Sequence, residues 1–536
     1  MPAETRKTLI IGILSVSAFF AGCTPSPARK SAPAVTEERI QVSADATIGQ
    51  LGEILIPQAI PVEGYALIAN LKGTGSPQCP PAIRQYLEQY LLKQVPAGTN
   101  VDKIIDSLDT AVVHLAGTIP PNVSKNDRFD LKIAALTSTQ TTSLEGGILL
   151  GAELKVKGQF STGSRTLALA DGPVFTDNLA DAAINKRTGF ILAGGRVLND
   201  YQINLVVRQR NFRLTRQICD RINERFGYDA AQAIIAGQIT LSVPAKYKGQ
   251  ENHFFALVKA TYLFSAAQNQ KIDGLISKLS AAQDMQQSET ALEAIGIAAA
   301  DRLASLLTSP DEKTRLSAAR CLLNMGDDRG LDCLRTIVFD KNSKYRIDSL
   351  NAITFAAKRN DASVILQRLL RDDDFDIVLA AYNQLCKIND IAVSRQIIAG
   401  NFCLDIVAQS SKQYIYVFRS GTPRIVLFGG PIYCRVGSFA QFADSSITIN
   451  APENRDRDNV LVTRKMPNLQ PITLESSHAL EDVIQTLCEE AQLPQDSPKK
   501  PGLNVSYTDM IAIVKQLCDK QAILAQFFAG PLPKID

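Results

Sequence analysis

Histidine and tryptophan are scarce in this chain. Its 536 residues include no tryptophan and only three histidines, His114, His253 and His478, no two of which are close in sequence. Because histidine is a common general base and metal ligand, this scarcity disfavours histidine-based catalysis and metal binding. The formal net charge of +3 creates no field that would recruit a nucleic acid. We therefore expect no nucleic-acid partner.

Motifs that indicate enzymes and cofactor sites are absent or incomplete. The Gly-Thr-Gly stretch at 73–75 begins like a phosphate-binding loop, but Ser76 and Pro77 follow it and complete no nucleotide motif. We interpret it as a tight turn. No G-x-S-x-G elbow occurs, and the acidic run 372–374 lacks the spaced ligands of a calcium loop. The sequence predicts a non-catalytic protein without catalytic, cofactor-binding or metal-binding residues.

The ten cysteines include no C-x-x-C pair, so a site of the zinc-finger type is not expected. Most of them lie among Leu, Ile and Ala at helical spacing, which favours small buried side chains. If the chain is exported to an oxidising compartment, one or two disulfide bonds are the alternative.

The apolar run at 9–21 is shorter than the roughly 20 residues of a spanning helix and follows Arg6 and Lys7. This pattern predicts an export signal. Its end, Phe-Ala-Gly-Cys at 20–23, resembles the lipobox of bacterial lipoproteins, in which the cysteine carries a lipid after cleavage. The resemblance implies lipidation of Cys23 and attachment to a membrane through that lipid. An ordinary cleavable signal with a chance cysteine is the alternative.

The lipobox divides the N-terminal residues into a lipoprotein signal peptide, 1–22, and a lipid-anchored segment, 23–45. The second segment is rich in Pro, Ala and Ser, which is typical of a flexible tether. Thr24, rather than aspartate, after the cysteine favours the outer membrane under the enterobacterial sorting rule. We expect a protein of the bacterial cell envelope that faces the periplasm.

Residues 46–265 mix strand and helix patterns, and the helix predicted at 212–226 is the clearest element. Gly227 follows it and is expected to be a left-handed C-cap. Strands are predicted at 111–113 and 203–207, and another helix at 82–93. The helix 212–226 carries four arginines, interpreted as a solvated face or a charged subunit contact: Arg213, Arg216, Arg221 and Arg225.

Several blocks of this region resemble the flagellar P-ring protein family, the periplasmic subunit of the ring around the flagellar rod. They are GYALIANLKGTG at 64–75, IPP at 119–121 with DLKI at 130–133, TSLEGGILL at 142–150, and the helix with its flanks at 211–227.

The P-ring resemblance implies a structural role. It implies that copies of the chain form a ring around an axial structure, through a contact to which the helix 212–226 contributes. A homo-oligomer is therefore expected. The family's motif turn would consist of Gly64, Tyr65, Gly73, Thr74 and Gly75.

Residues 270–400 are predicted to be helical throughout and contain an internal repeat. Equivalent segments begin at Ser309, Asp340 and Arg371, a constant period of 31 residues. The pattern resembles HEAT-type repeats, whose helix pairs stack because none buries its apolar face alone. The resemblance implies a solenoid with a groove for a partner protein. A compact helical bundle without a ligand is the alternative.

Residues 401–536 return to strand patterns and predict a small domain. Its predicted elements are a hairpin of 414–418 with 424–428, strands at 445–449 and 460–463, and amphipathic helices at 477–491 and 506–521. The whole chain is thus predicted to be multidomain α+β: a mixed α/β P-ring-like module, an α-helical HEAT-like solenoid and a small C-terminal α+β domain.

Taken together, these features favour a non-catalytic, lipid-anchored structural or scaffold protein of the cell envelope. One alternative is an envelope adaptor whose HEAT-like repeats bind a partner protein, unrelated to motility. Another is an unrecognised hydrolase in residues 401–536.

Overall fold

A computed structural model describes residues 42–96, 98–159, 163–179, 185–264, 268–442, 446–453, 459–465, 470–489 and 502–535. The predicted signal peptide, Cys23 and the tether up to residue 41 lie outside these residues. The tether's last residue is in contact with the folded chain, since the Asp45 carboxylate lies 3.2 Å from Lys271 Nζ.

The first part of the chain is rich in strands. Its elements are α1 (Ile48–Leu51), β1 (Gly52–Leu55), β2 (Ile60–Ala69), α2 (Pro81–Leu91), α3 (Val101–Ile105), β3 (Ala111–Ile119), β4 (Arg128–Ala135), β5 (Ile148–Val156), β6 (Ala168–Pro173), β7 (Thr188–Val197), β8 (Ile203–Val207), α4 (Phe212–Phe226), β9 (Ala231–Ile235), β10 (Gln238–Leu241) and α5 (Glu251–Ala260).

Six of these strands close into an antiparallel barrel in the order β2-β3-β4-β7-β6-β5. Alternate residues such as Leu115 and Ile133 point into its core, because successive side chains of a strand face opposite ways. The remaining strands form an open sheet in the order β1-β8-β10-β9. The sequence predicted strands and helices here but neither the barrel nor the open sheet.

The predicted helix 212–226 coincides with α4. Asn211 begins it, because its side-chain oxygen accepts hydrogen bonds from the backbone N–H groups of Arg213 and Leu214 at 2.8 and 3.1 Å. Gly227 ends it with φ of 114° and ψ of 155°. The ψ value lies outside the left-handed helical region, so the prediction of a left-handed C-cap was wrong. The positive φ nevertheless favours glycine at this position.

The middle of the chain is helical as far as Lys387, and the prediction of helix throughout 270–400 was wrong at its end, where a strand begins at Ser394. Its helices are α6 (Gln268–Ser280), α7 (Met285–Ile295), α8 (Ala300–Ala304), α9 (Glu312–Asn324), α10 (Arg329–Phe339), α11 (Arg346–Ala356), α12 (Arg359–Leu369) and α13 (Phe375–Lys387).

Stacking of these helices follows the 31-residue period. Helix α9 contacts α11, and α11 contacts α13. Glu289 accepts a hydrogen bond from Arg320, and Glu293 accepts one from Asn324, and both pairs are separated by 31 residues. Equivalent positions of neighbouring units therefore lie side by side, as expected for stacked repeats.

The last part contains β11 (Ser394–Ile398), β12 (Phe402–Val407), β13 (Tyr414–Phe418), β14 (Arg424–Phe428), β15 (Phe439–Phe442), β16 (Ile447–Asn450), β17 (Val460–Arg464), β18 (Ile472–Ser476), α14 (Leu480–Cys488), α15 (Tyr507–Asp519) and β19 (Gln526–Ala529). The strands form two sheets, β11-β12-β14-β13-β19 and β15-β16-β17-β18. Residues of both sheets and both helices share one hydrophobic core.

The hairpin predicted in this part is present, since β13 pairs antiparallel with β14. The strand predicted at 445–449 corresponds to β16, and residue 445 lies outside the described residues. The helix predicted at 477–491 corresponds to α14, and residues 490 and 491 also lie outside them. The fold class predicted from the sequence is confirmed: a strand-rich first module, a helical repeat region and a C-terminal domain built on sheets. No helix in the described part of the chain is both long enough and apolar enough to cross a membrane.

Candidate functional site

The predicted motif turn follows β2 and is hydrogen-bonded to the segment that precedes β3. The backbone N–H groups of Leu71, Gly75 and Ser76 donate to the carbonyls of Asp109, Leu108 and Thr110 at 3.0, 2.8 and 2.9 Å. A phosphate-binding loop needs N–H groups that point at a ligand. Because these amides already donate to the protein's own carbonyls, the turn has a packing role.

Thr74 links this turn to the loop that precedes β5. Its backbone carbonyl accepts from Thr142 N at 2.9 Å, and its hydroxyl lies 2.9 Å from the carbonyl oxygens of both Leu71 and Ser143. The GYALIANLKGTG and TSLEGGILL blocks, distant in sequence, are therefore one packed unit.

The motif glycines are explained by backbone geometry. Gly73 has φ of 88°, which favours glycine. A Cβ on Gly75 would lie 2.0 Å from the carbonyl oxygen of Thr110, and a Cβ on Gly64 would lie 2.5 Å from that of Glu153. Tyr65 lies beside them on β2, with its ring 5.2 Å from the ring of His114.

The four arginines of α4 divide into two pairs. Arg213 and Arg216 are exposed, and the Arg216 guanidinium lies 3.8 Å from Asp220. Arg221 has a side chain only 13% exposed and donates to the carbonyl of Tyr262 at 3.1 Å. Arg225 donates to the carbonyl of Glu293 at 2.6 Å. Two of the arginines predicted as a subunit contact are thus engaged within the chain, and two remain at the surface.

A groove of about 380 Å³ lies between α4 and β9. The side chains that line it are mostly apolar or uncharged: Phe212, Thr215, Arg216, Cys219, Asp220, Ala233, Ile234 and Ile235. The sequence did not predict this groove. The Ala-Ile-Ile run at 233–235 was a signal for a strand, but its position at a sheet edge depends on pairing with β10.

A polar junction around Glu293 was also missed. Its buried carboxylate, on α7, lies 3.0 Å from His253 Nε2 of α5 and accepts from Asn324 Nδ2 of α9 at 2.9 Å. Lys246 Nζ donates to the carbonyl of Asn324 at 3.1 Å. Burial lowers the pKa of Lys246, with the Glu293 carboxylate acting in the opposite direction. This junction ties the strand-rich part to the repeats.

A second buried network surrounds Asp405 on β12. Arg395 of β11 donates two hydrogen bonds to its carboxylate at 2.7 Å, and the Tyr382 hydroxyl of α13 donates at 2.5 Å. Arg424 of β14 donates to the Tyr382 oxygen at 2.9 Å. Burial and the neighbouring carboxylate raise the pKa of Tyr382. The network joins the last repeat helix to the C-terminal sheet.

The nine described cysteines carry free thiols. His478 lies near a backbone carbonyl, with Nδ1 3.1 Å from the oxygen of Cys434. Within the described ranges, no three His, Cys, Asp or Glu side chains come together in a group that could hold a metal ion.

Comparison with known families now defines two classes of module. The model of the flagellar P-ring protein family matches residues 48–273, and the model of HEAT repeats matches residues 299–386. Both resemblances predicted from the sequence are thereby confirmed, each over its own part of the chain.

Individual relatives agree with the first match. The chain is 26% identical over 206 residues to the flagellar P-ring protein of Escherichia fergusonii, covering 35% of this chain and 53% of the relative. It is 29% identical over 198 residues to flagellar P-ring protein 1 of Hahella chejuensis, covering 34% and 51%. The chain thus spans about half the length of these curated relatives.

Proposed function

We propose that this chain is a non-catalytic structural protein of the bacterial cell envelope, in which residues 48–273 assemble into a ring around an axial structure such as the flagellar rod. The match of these residues to the P-ring family carries the proposal. The geometry of the motif turn supports it, because Gly64, Gly73 and Gly75 are explained by tight backbone packing and not by a ligand.

We propose that a lipid on Cys23 attaches the chain to a membrane, and the signal-like pattern of the N-terminal residues supports this proposal.

The test of this attachment is incorporation of labelled palmitate into the wild type and into Cys23→Ala. We expect label in the wild type alone, and its absence from both proteins would contradict the lipid anchor. Such an anchor would place the chain at the periplasmic side of the envelope, with the outer membrane favoured by Thr24.

A second candidate function is that of an envelope adaptor unrelated to motility. The match of residues 299–386 to HEAT repeats favours it, because stacked helix pairs form extended surfaces that bind other proteins. In this alternative the P-ring-like module would contribute its fold but no motility function.

Deletion of the gene separates the two candidates. If the chain belongs to the flagellar ring, the deletion strain loses swimming, and a plasmid copy of the wild-type gene restores it. Normal swimming of the deletion strain would contradict the flagellar proposal and favour the adaptor. Flagellin export measured in parallel excludes a general defect of the strain.

A further inference from the structure

The open sheet of the first module has two unpaired edges. In the order β1-β8-β10-β9, strands β1 and β9 are the outer ones, and no other strand in the described part of the chain pairs with their outer sides. Exposed edges present free N–H and C=O groups to any strand that approaches. The neighbouring barrel, by contrast, is closed and has no such edge.

The β9 edge is apolar, and exposed arginines outnumber the one carboxylate, Asp220, in the groove beside it. Ile234 and Ile235 are 54% and 57% exposed, and Phe212 at the start of α4 is 73% exposed. Exposed arginines lie close by: Arg213 and Arg216 are on α4, and Arg210 packs against Gly237 in the turn between β9 and β10.

The β1 edge carries one exposed acidic side chain. Glu53 and Leu55 are its exposed residues, and Leu55 is 52% exposed. Across the sheet, Glu53 lies opposite Val206, Val206 opposite Gln238, and Gln238 opposite Ile235. If β1 of another copy paired with β9 and continued this row, Glu53 of that copy would lie beside Ile235, near the arginines at this end of the sheet.

Strand direction also fits a head-to-tail contact. Every neighbouring pair in the sheet is antiparallel, so β1 and β9 run in opposite directions. Copies related by a small rotation keep their strand directions, so β1 of one copy would lie antiparallel to β9 of the next. A symmetric contact of β9 with β9 would instead bring the two arginine clusters together, which like-charge repulsion disfavours.

We propose that β1 of a second copy of this chain pairs antiparallel with the outer edge of β9, so that the open sheets of successive copies join into one. This inference rests on the proposed ring assembly and names the surfaces that build it. Because the two surfaces differ, the contact leaves a free β9 edge at one end and a free β1 edge at the other, and it therefore repeats from copy to copy.

Crosslinking of introduced cysteines tests this pairing. Leu55 and Gln232 are exposed residues at opposite edges of the sheet, and the register that sets Glu53 opposite Ile235 sets Leu55 opposite Ala233, the neighbour of Gln232. We would treat the full chain carrying Leu55→Cys, Gln232→Cys or both with a short bis-maleimide, with the wild type as the control for its own thiols. The double variant is expected to give a ladder of oligomers, and a mixture of the two single variants is expected to give dimers only.

Two results would overturn the inference. Crosslinking of Gln232→Cys with itself would show a symmetric β9 contact. No crosslinking of the double variant above the wild-type background would show that these edges do not meet. Sedimentation of the untreated proteins separates the two proposals: assembly without crosslinks contradicts this pairing alone, whereas absence of assembly contradicts the ring as well.

Discussion

Gly75 lies where the turn after β2 meets the segment before β3. A Cβ on this residue would lie 2.0 Å from the carbonyl oxygen of Thr110 and 2.6 Å from that of Leu108. Both obstacles are backbone atoms, so a side-chain rotation cannot relieve them. Glycine is therefore required at this position because two backbone segments approach each other closely.

Replacement of this glycine tests the packing role. We expect Gly75→Ala to lower the free energy of unfolding by about 2–3 kcal/mol, because the added methyl group forces the backbone apart. Urea denaturation measures the effect. Gly163→Ala is the matched control, since no atom lies within 4 Å of the added Cβ, and its effect should stay within about 0.5 kcal/mol. Equal effects of the two substitutions would contradict the packing role.

Asp311 begins α9 as its N-cap and gives a prediction that depends on pH. Its carboxylate accepts hydrogen bonds from the hydroxyl and the backbone N–H of Thr314 at 2.7 and 2.9 Å, and these bonds lower its pKa from the ordinary 3.8. A depressed folded-state pKa stabilises the fold above the unfolded-state pKa. That contribution is lost as the pH falls through the folded-state pKa.

We therefore expect Asp311→Ala to cost about 1 kcal/mol at pH 7 and less at a pH below 3.8. Thermal unfolding of the wild type and the variant across this range measures the difference. Asp229→Ala, at an exposed loop position, controls for the loss of a surface charge. A difference that is constant with pH would contradict the capping role of the carboxylate.

At the scale of elements, Asp405 connects α13 with the C-terminal sheet. We expect Asp405→Asn to lower the free energy of unfolding by about 3–5 kcal/mol, because Arg395 loses its buried, doubly bonded partner. Urea denaturation again provides the measurement. Asp519→Asn breaks only the exposed pair with Lys515 and should change stability by less than about 1 kcal/mol. A similar small loss in both variants would contradict the network.

The sequence predicted individual elements better than their arrangement. Helix α4 has a local signal in its apolar period and its Asn211 cap, so its bounds were correct. The barrel has no such signal, because pairs such as β4 with β7 and β2 with β5 join segments that are distant in sequence. For the same reason the backbone neighbours of Gly75, the carbonyls of Leu108 and Thr110, could not be predicted from the sequence.

At the scale of the whole molecule, Glu293 ties the strand-rich part to the repeats. We expect Glu293→Ala to lower the free energy of unfolding by about 2–4 kcal/mol, because His253 and Asn324 lose a buried partner. Faster cleavage of the chain near residue 268 in limited proteolysis would accompany this loss. Glu224→Ala is the control. The Glu224 side chain is exposed, so its ion pair with Arg221 contributes little to stability. Unchanged proteolysis of Glu293→Ala would contradict the junction.

The function proposed here requires that the P-ring-like module assembles into a ring. Negative-stain electron microscopy of the purified chain shows whether it does. We predict closed rings, or arcs of constant curvature, built from many copies. A field of monomers only, at concentrations where the protein remains folded, would contradict the claim.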